Sequence, residues 1–285
     1  MRRLLVLAVT AVMMLTAAAC GEERDGKEQR AAPAPAPHPR TERARQVAAA
    51  WNGSQAEASW RAGYHPMGDW TQFPEGLTDP PLTLRATLPR LPRADAEIKW
   101  SSGPTLTAPL VPADTAYGSL AQYAGPGTQL PVTAVKLGTM SLLTTRGPAT
   151  VPAWLFTVEG HGTPVKRAAV RPSRLPKSPI APVTSSNFQL PTTRVEKIQG
   201  SALTVIVPHG SCDDGVEMEA LETPGSVVLS AYAVNPQDGL CRADLKMEPV
   251  KVTLRAPLAD RVLLDASTGT PVPYDVVNGR SPSWS

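Results

Sequence analysis

Between residues 82 and 100 the chain alternates apolar and polar positions. Leu82, Leu84, Ala86 and Leu88 are separated by Thr83, Arg85 and Thr87, and Ala94, Ala96, Ile98 and Trp100 by Asp95, Glu97 and Lys99. A period of two sends successive side chains to opposite faces, so residues 82–88 and 94–100 are predicted as half-buried strands. Residues 131–144 and 149–158 are predicted to pair across a turn at Arg146-Gly147-Pro148. The second of these is apolar on both faces and is expected at the centre of a sheet, with Pro152 near its start. A further strand is expected over 165–170. Helical spacing shows in three places: Val47, Ala48 and Trp51; residues 55–61, behind the capping box Ser54-Gln55-Ala56-Glu57; and residues 115–123. Beyond residue 193 the strand-like runs are 202–207, 216–221, 226–234, 250–254 and 262–264, with no helical period among them.

The composition between these runs marks boundaries. Residues 21–40 are a mixed-charge run followed by Ala-Pro alternation, a tether with nothing to bury. Residues 172–193 carry Pro172, Pro176, Pro179, Pro182 and Pro191 and read as a Pro-rich linker. The fold class expected is α+β. An N-terminal domain over 41–171 would place short helices on a mostly antiparallel sheet, and a C-terminal all-β domain over 194–280 would be sandwich-like.

The first twenty residues change the picture. Arg2 and Arg3 precede an apolar run over 4–15, and Ala17-Ala18-Ala19 lead into Cys20. That is a secretory signal peptide ending at a lipidation cysteine, although Ala17 stands where such signals usually carry Leu. The apolar run is shorter than the ~20 residues a spanning helix needs. The expectation is a lipid anchor on Cys20 at the extracytoplasmic face of the cell membrane. Removal of Arg2 and Arg3 takes the formal charge from +3 to +1, and no basic run interleaves with aromatics, so no nucleic-acid partner is expected. In that compartment Cys212 and Cys241 read as one disulfide closing a loop of about 30 residues. The rival reading, a reactive or metal-bound thiol, lacks further Cys or His at close spacing.

The runs RGPATVPAWLFTVEG (146–160), HGSCDDG (209–215) and ADRVLLDA (259–266) resemble segments of uncharacterised actinobacterial secreted lipoproteins. The resemblance implies surface exposure and a two-part layout over most of 41–275, and it implies no activity.

The chemistry-bearing residues are few. The chain has no G-x-S-x-G, H-E-x-x-H or phosphate-loop motif, so no catalytic residue and no cofactor is assigned. Aromatics concentrate between Trp51 and Phe73, and Trp60, Tyr64, His65 and Trp70 are the candidate ligand-binding residues, with Arg61 and Asp69 as polar partners. His209 with Asp213, Asp214, Glu217 and Glu219 lacks calcium-loop spacing and is expected to be a solvated acidic face, with no metal. The function expected is a non-catalytic binding or interaction module of the cell envelope, its partner a cell-wall component or another envelope protein. The alternatives are an envelope hydrolase using His65 or His161 with a carboxylate, and a structural docking protein.

Overall fold

Pro39 opens the first helix, where its missing N–H costs nothing, and α1 (Pro39–Trp51) runs until Asn52-Gly53, with Gly53 at φ +69°. Its buried stripe is Ala44, Val47, Ala48 and Trp51, at the i, i+3, i+4, i+7 spacing of one helix face. In α2 (Gln55–Ala62) the Ser54 Oγ accepts the Glu57 N–H at 3.1 Å. Glu57 reaches back to the Gly53 N–H at 2.7 Å, one residue earlier than the capping box places it. This computed structural model describes residues 39–67, 69–91, 94–122, 124–183, 189–236 and 244–274. The signal segment, Cys20, nearly all of the tether and Cys241 lie outside the described residues.

The first sheet is built from β1 (Thr71–Gln72), β2 (Leu82–Leu84), β3 (Asp95–Trp100), β4 (Leu106–Pro109), β5 (Leu130–Thr144), β6 (Gly147–Val158) and β7 (Val165–Ala168), with α3 (Ala113–Gln122) between β4 and β5. β5 and β6 pair along their whole length, and the other edge of β6 carries both β3 and β7. Pro152 lies six residues into β6, deeper than expected, but in the gap between the positions paired to β3 and to β7. β6 is buried on both faces over residues 151–154. Ala149, Val151 and Ala153 pack with Ile98, Trp100, Met140 and Leu142, while Trp154, Phe156 and Val158 pack under Ala113, Ala116 and Leu120 of α3. The pairings within this sheet are antiparallel apart from β2 with β5.

The remaining strands are β8 (Gln189–Leu190), β9 (Arg194–Gln199), β10 (Ala202–Gly210), β11 (Val216–Glu222), β12 (Ser226–Ala233), β13 (Leu245–Thr253) and β14 (Val262–Asp265). They form a three-stranded sheet in the order β13-β10-β9 and a four-stranded sheet β11-β12-β14 with β8 also on β12. Leu203, Val205, Val207 and Val252 of the former share one core with Val227, Leu229, Ala231 and Leu263 of the latter. The β-rich α+β class expected from the sequence is therefore what forms.

α3 lies on the first sheet as expected, but α1 and α2 sit elsewhere. α1 and α2 do not cover the first sheet; they cover the second face of β12 and β14, where Val47, Trp51 and Trp60 pack on Val228, Val262 and Leu264. The reason is β12 itself, SVVLSAYA, buried at all eight positions and so in need of an apolar layer on each side. Three ties fix the helices there: Arg43 Nε to the Ala266 carbonyl at 2.9 Å, Trp51 Nε1 to the Gly269 carbonyl at 2.8 Å, and Arg61 to Asp260 at 3.3 Å. The first part of the Pro-rich stretch, residues 175–180, is packed rather than loose. Leu175 and Ile180 pack into the same core, and Ser178 Oγ donates to the Gly269 carbonyl at 2.7 Å.

Candidate functional site

The four aromatic-region candidates are all interior. Trp60 is 3% exposed, Tyr64 and His65 0%, and Trp70 4%. Trp60 belongs to the core under α1 and α2, whereas Tyr64 and Trp70 belong to the core of the first sheet. The expected stacking groove is corrected here: no ring among them presents a face to solvent, because each fills a seam between packed layers. His65 lies flat against Trp60, ring centroids 3.9 Å apart and planes within 12°. Gly63 makes the room, since a Cβ there would overlap His65 Nε2. Burial lowers the His65 pKa to about 4, opposed only in part by the Trp60 carbonyl. Burial likewise raises the Tyr64 phenol, and Arg167 acts against that rise. Arg167 donates to Thr71 Oγ1 at 2.7 Å and sits 5.9 Å from the Trp70 ring centre.

The histidine and acidic candidates are dispersed. His161 is half-buried in the turn after β6, its N–H on the Val158 carbonyl. His209 is 4% exposed near the end of β10, with Nε2 3.1 Å from Glu248 Oε2 on β13. Asp213 accepts the Gly210 N–H at 2.8 Å, Asp214 accepts from Asn235 at 3.0 Å, and Glu217 and Glu219 are exposed on β11. Among the described residues no group of three or more His, Cys, Asp or Glu is placed to hold a metal ion. Cys212 is disulfide-bonded.

Among the described residues an open concavity lies on the other side of the first sheet. It is a cleft of about 940 Å³. Leu84, Leu88, Pro89 and Leu91 form one wall, Leu110 and Pro112 the other, and Trp154 the floor. Arg90 and Asp114 supply its charges. A shallower hollow of about 360 Å³ shares Leu110 and Pro112 with it and extends along β4 to residues 171–173.

Local chemistry explains the cleft. The strand expected over 82–88 ends at Leu84, because the N–H groups of Arg85 and Ala86 both turn onto the Val132 carbonyl at 3.0 Å. One acceptor serving two successive donors bends the chain out of the ladder, and Pro89, lacking an N–H, cannot return it. Residues 87–91 then run beside α3 rather than in the sheet. Opposite them, Pro112 accepts the Ala116 N–H at the start of α3, and Val111 offers its carbonyl to Trp154 Nε1 at 2.7 Å. Sequence pattern alone misses this site; its one signal is the repeat Leu88-Pro89-Arg90-Leu91-Pro92-Arg93, which fits neither a strand nor a helix.

No protein-family model matches the chain, and no curated protein or solved structure does.

Proposed function

We propose that this chain is a lipid-anchored extracytoplasmic protein acting as a non-catalytic binding module of the cell envelope, with the Leu/Pro-walled cleft over Trp154 as its ligand seat. The cleft carries this reading: its volume falls in the range of small-molecule sites, and apolar walls with a few placed polar groups are what such sites share. Leu91, 48% exposed, adds accessible apolar surface to the cleft lining. Neither His65 nor His161 lines the cleft, which favours binding over hydrolysis. The ligand class is a molecule with an apolar body and a polar group to meet Arg90 or Asp114. The anchor is Cys20, as in the actinobacterial lipoproteins the sequence resembles. Among the described residues no helix is long and apolar enough to cross a membrane.

Two measurements test this. Thermal shift against medium-chain fatty acids, cell-wall fragments and short Leu/Pro peptides is expected to give a hit worth about 2.7 kcal/mol at 100 times its dissociation constant. Leu91→Asp should abolish the shift while leaving the unliganded melting temperature in place. A hit that persists in Leu91→Asp moves the site away from the cleft. Separately, Cys20→Ala should release the protein from the membrane fraction, and unchanged fractionation would refute the anchor.

A further inference from the structure

The chain passes between the core of the first sheet and the core beneath α1 and α2 twice. One crossing is at residues 63–66, after Trp60 in the second core and into Tyr64 in the first. The other is at residues 171–175, from Val170 in the first core to Leu175 in the second. The two crossings are zipped together: the Tyr64 N–H donates to Ser173 Oγ and the Ser173 N–H to the Tyr64 carbonyl, each at 2.9 Å. The first crossing is also sewn to the β5–β6 hairpin. Thr145 donates to the His65 carbonyl at 3.0 Å, Met67 to the Leu143 carbonyl at 2.8 Å, and Pro66 bridges Thr144. At the middle of this seam lies His65, wholly buried and stacked on Trp60, the buried side chain of α2.

We propose that this seam is an acid-sensitive joint, in which a proton taken up by His65 parts the α1–α2 layer from the first sheet while each keeps its own core. An imidazolium in this position has to give up its hydration against an indole face and the backbone of Gly63. The charged groups on the elements that meet here are mostly cations. They are Arg61 on α2, Arg146 in the β5–β6 turn, Arg167 on β7, and Arg171 and Arg174 on the second crossing. Arg61 is itself paired with Glu57 at 2.9 Å and with Asp260 at 3.3 Å, and Asp69 stands before β1. Arg146 reaches across the seam to the Ala62 carbonyl at 3.3 Å while its guanidinium lies 3.6 Å above Trp100. What opposes a positive charge on His65 is its burial.

The sign follows from linkage. Within the closed joint the imidazole stays neutral down to about pH 4, whereas once exposed it takes its proton near 6.5. The closed form thus binds fewer protons, its advantage is complete above 6.5, and that advantage is lost as pH falls from 6.5 towards 4. Between pH 7.5 and pH 5 the open fraction should rise about 25-fold.

Hydrogen–deuterium exchange of the full-length protein, corrected for the intrinsic pH dependence of exchange, reads this directly. Peptides covering residues 60–67 and 171–175 are expected to lose protection between pH 7.5 and 5, while those of β10 and β12 keep theirs. His65→Phe, which keeps a flat ring against Trp60 without a titrating group, should remove the pH dependence. Equal loss in His65→Phe, or simultaneous loss across β10 and β12, overturns the proposal. Should His65→Phe fold poorly, the histidine resonances of the wild-type chain decide. A His65 that protonates with residues 60–67 still protected also overturns it.

Discussion

Replacing Asp265 by alanine should lower the stability of the folded chain by about 3–5 kcal/mol and its melting temperature by roughly 10 °C. Asp265 is 2% exposed at the end of β14. Its Oδ1 accepts from Ser267 Oγ at 2.8 Å, the Thr268 N–H at 2.7 Å and Thr268 Oγ1 at 2.9 Å, while Oδ2 accepts the Thr192 N–H at 2.8 Å. Alanine strands the Thr192 and Thr268 backbone donors, and each orphaned buried donor costs about 1–3 kcal/mol. The damage spreads because this carboxylate shapes the turn that receives α1. The Ala266 carbonyl takes Arg43, and the Gly269 carbonyl takes both Trp51 and Ser178. Asp265→Asn keeps the shape and one strong acceptor and should cost about 1–2 kcal/mol. Denaturant titration of both substitutions checks the order, and an alanine cost below about 1 kcal/mol would mean the network does not hold the turn.

That turn also marks the limit of what sequence pattern reveals. The Ser54–Glu57 cap of α2 is legible because its partners lie three residues apart, and the β5–β6 hairpin because a turn joins two adjacent runs. The run SVVLSAYA is legible as a strand, and its apolar residues on both faces imply two covering layers. What covers the second face lies far upstream: Arg43 and Ala266 are 223 positions apart. Local periodicity carries no record of such a contact. Hence the pattern assigns α1 and α2 to the wrong sheet.

The candidate site failed for a different reason. Aromatic density in Trp60, Tyr64 and Trp70 reads the same whether the rings line a groove or fill a core, since both uses rest on the same large apolar area. Only burial separates them, and burial is a property of the assembled layers. The cleft is the mirror case. Leu88, Pro89 and Leu91 read locally as a strand end and a loop, and they become a wall only because α3 starts opposite them at Pro112.

Trp154→Ala should cost about 3–5 kcal/mol, the usual range for deleting a buried indole, and should also disable the cleft. Trp154 is 1% exposed and packs among Phe156, Val158 and the α3 residues Ala116 and Leu120. It therefore serves as core from one side and as floor from the other. Trp154→Phe separates the two roles. It retains most of the apolar filling but leaves the Val111 carbonyl without the indole N–H, for an expected cost of about 1–2 kcal/mol. That carbonyl sits in the segment forming the wall opposite Leu88 and Leu91, so its release should loosen the cleft more than the core. Binding on this surface predicts a ligand shift that weakens in Trp154→Phe by far more than the lost stability accounts for. The same shift should vanish in Leu91→Asp at no stability loss. A shift unaltered by both substitutions would leave Trp154 a core residue alone, and the cleft would then have no part in the protein's function.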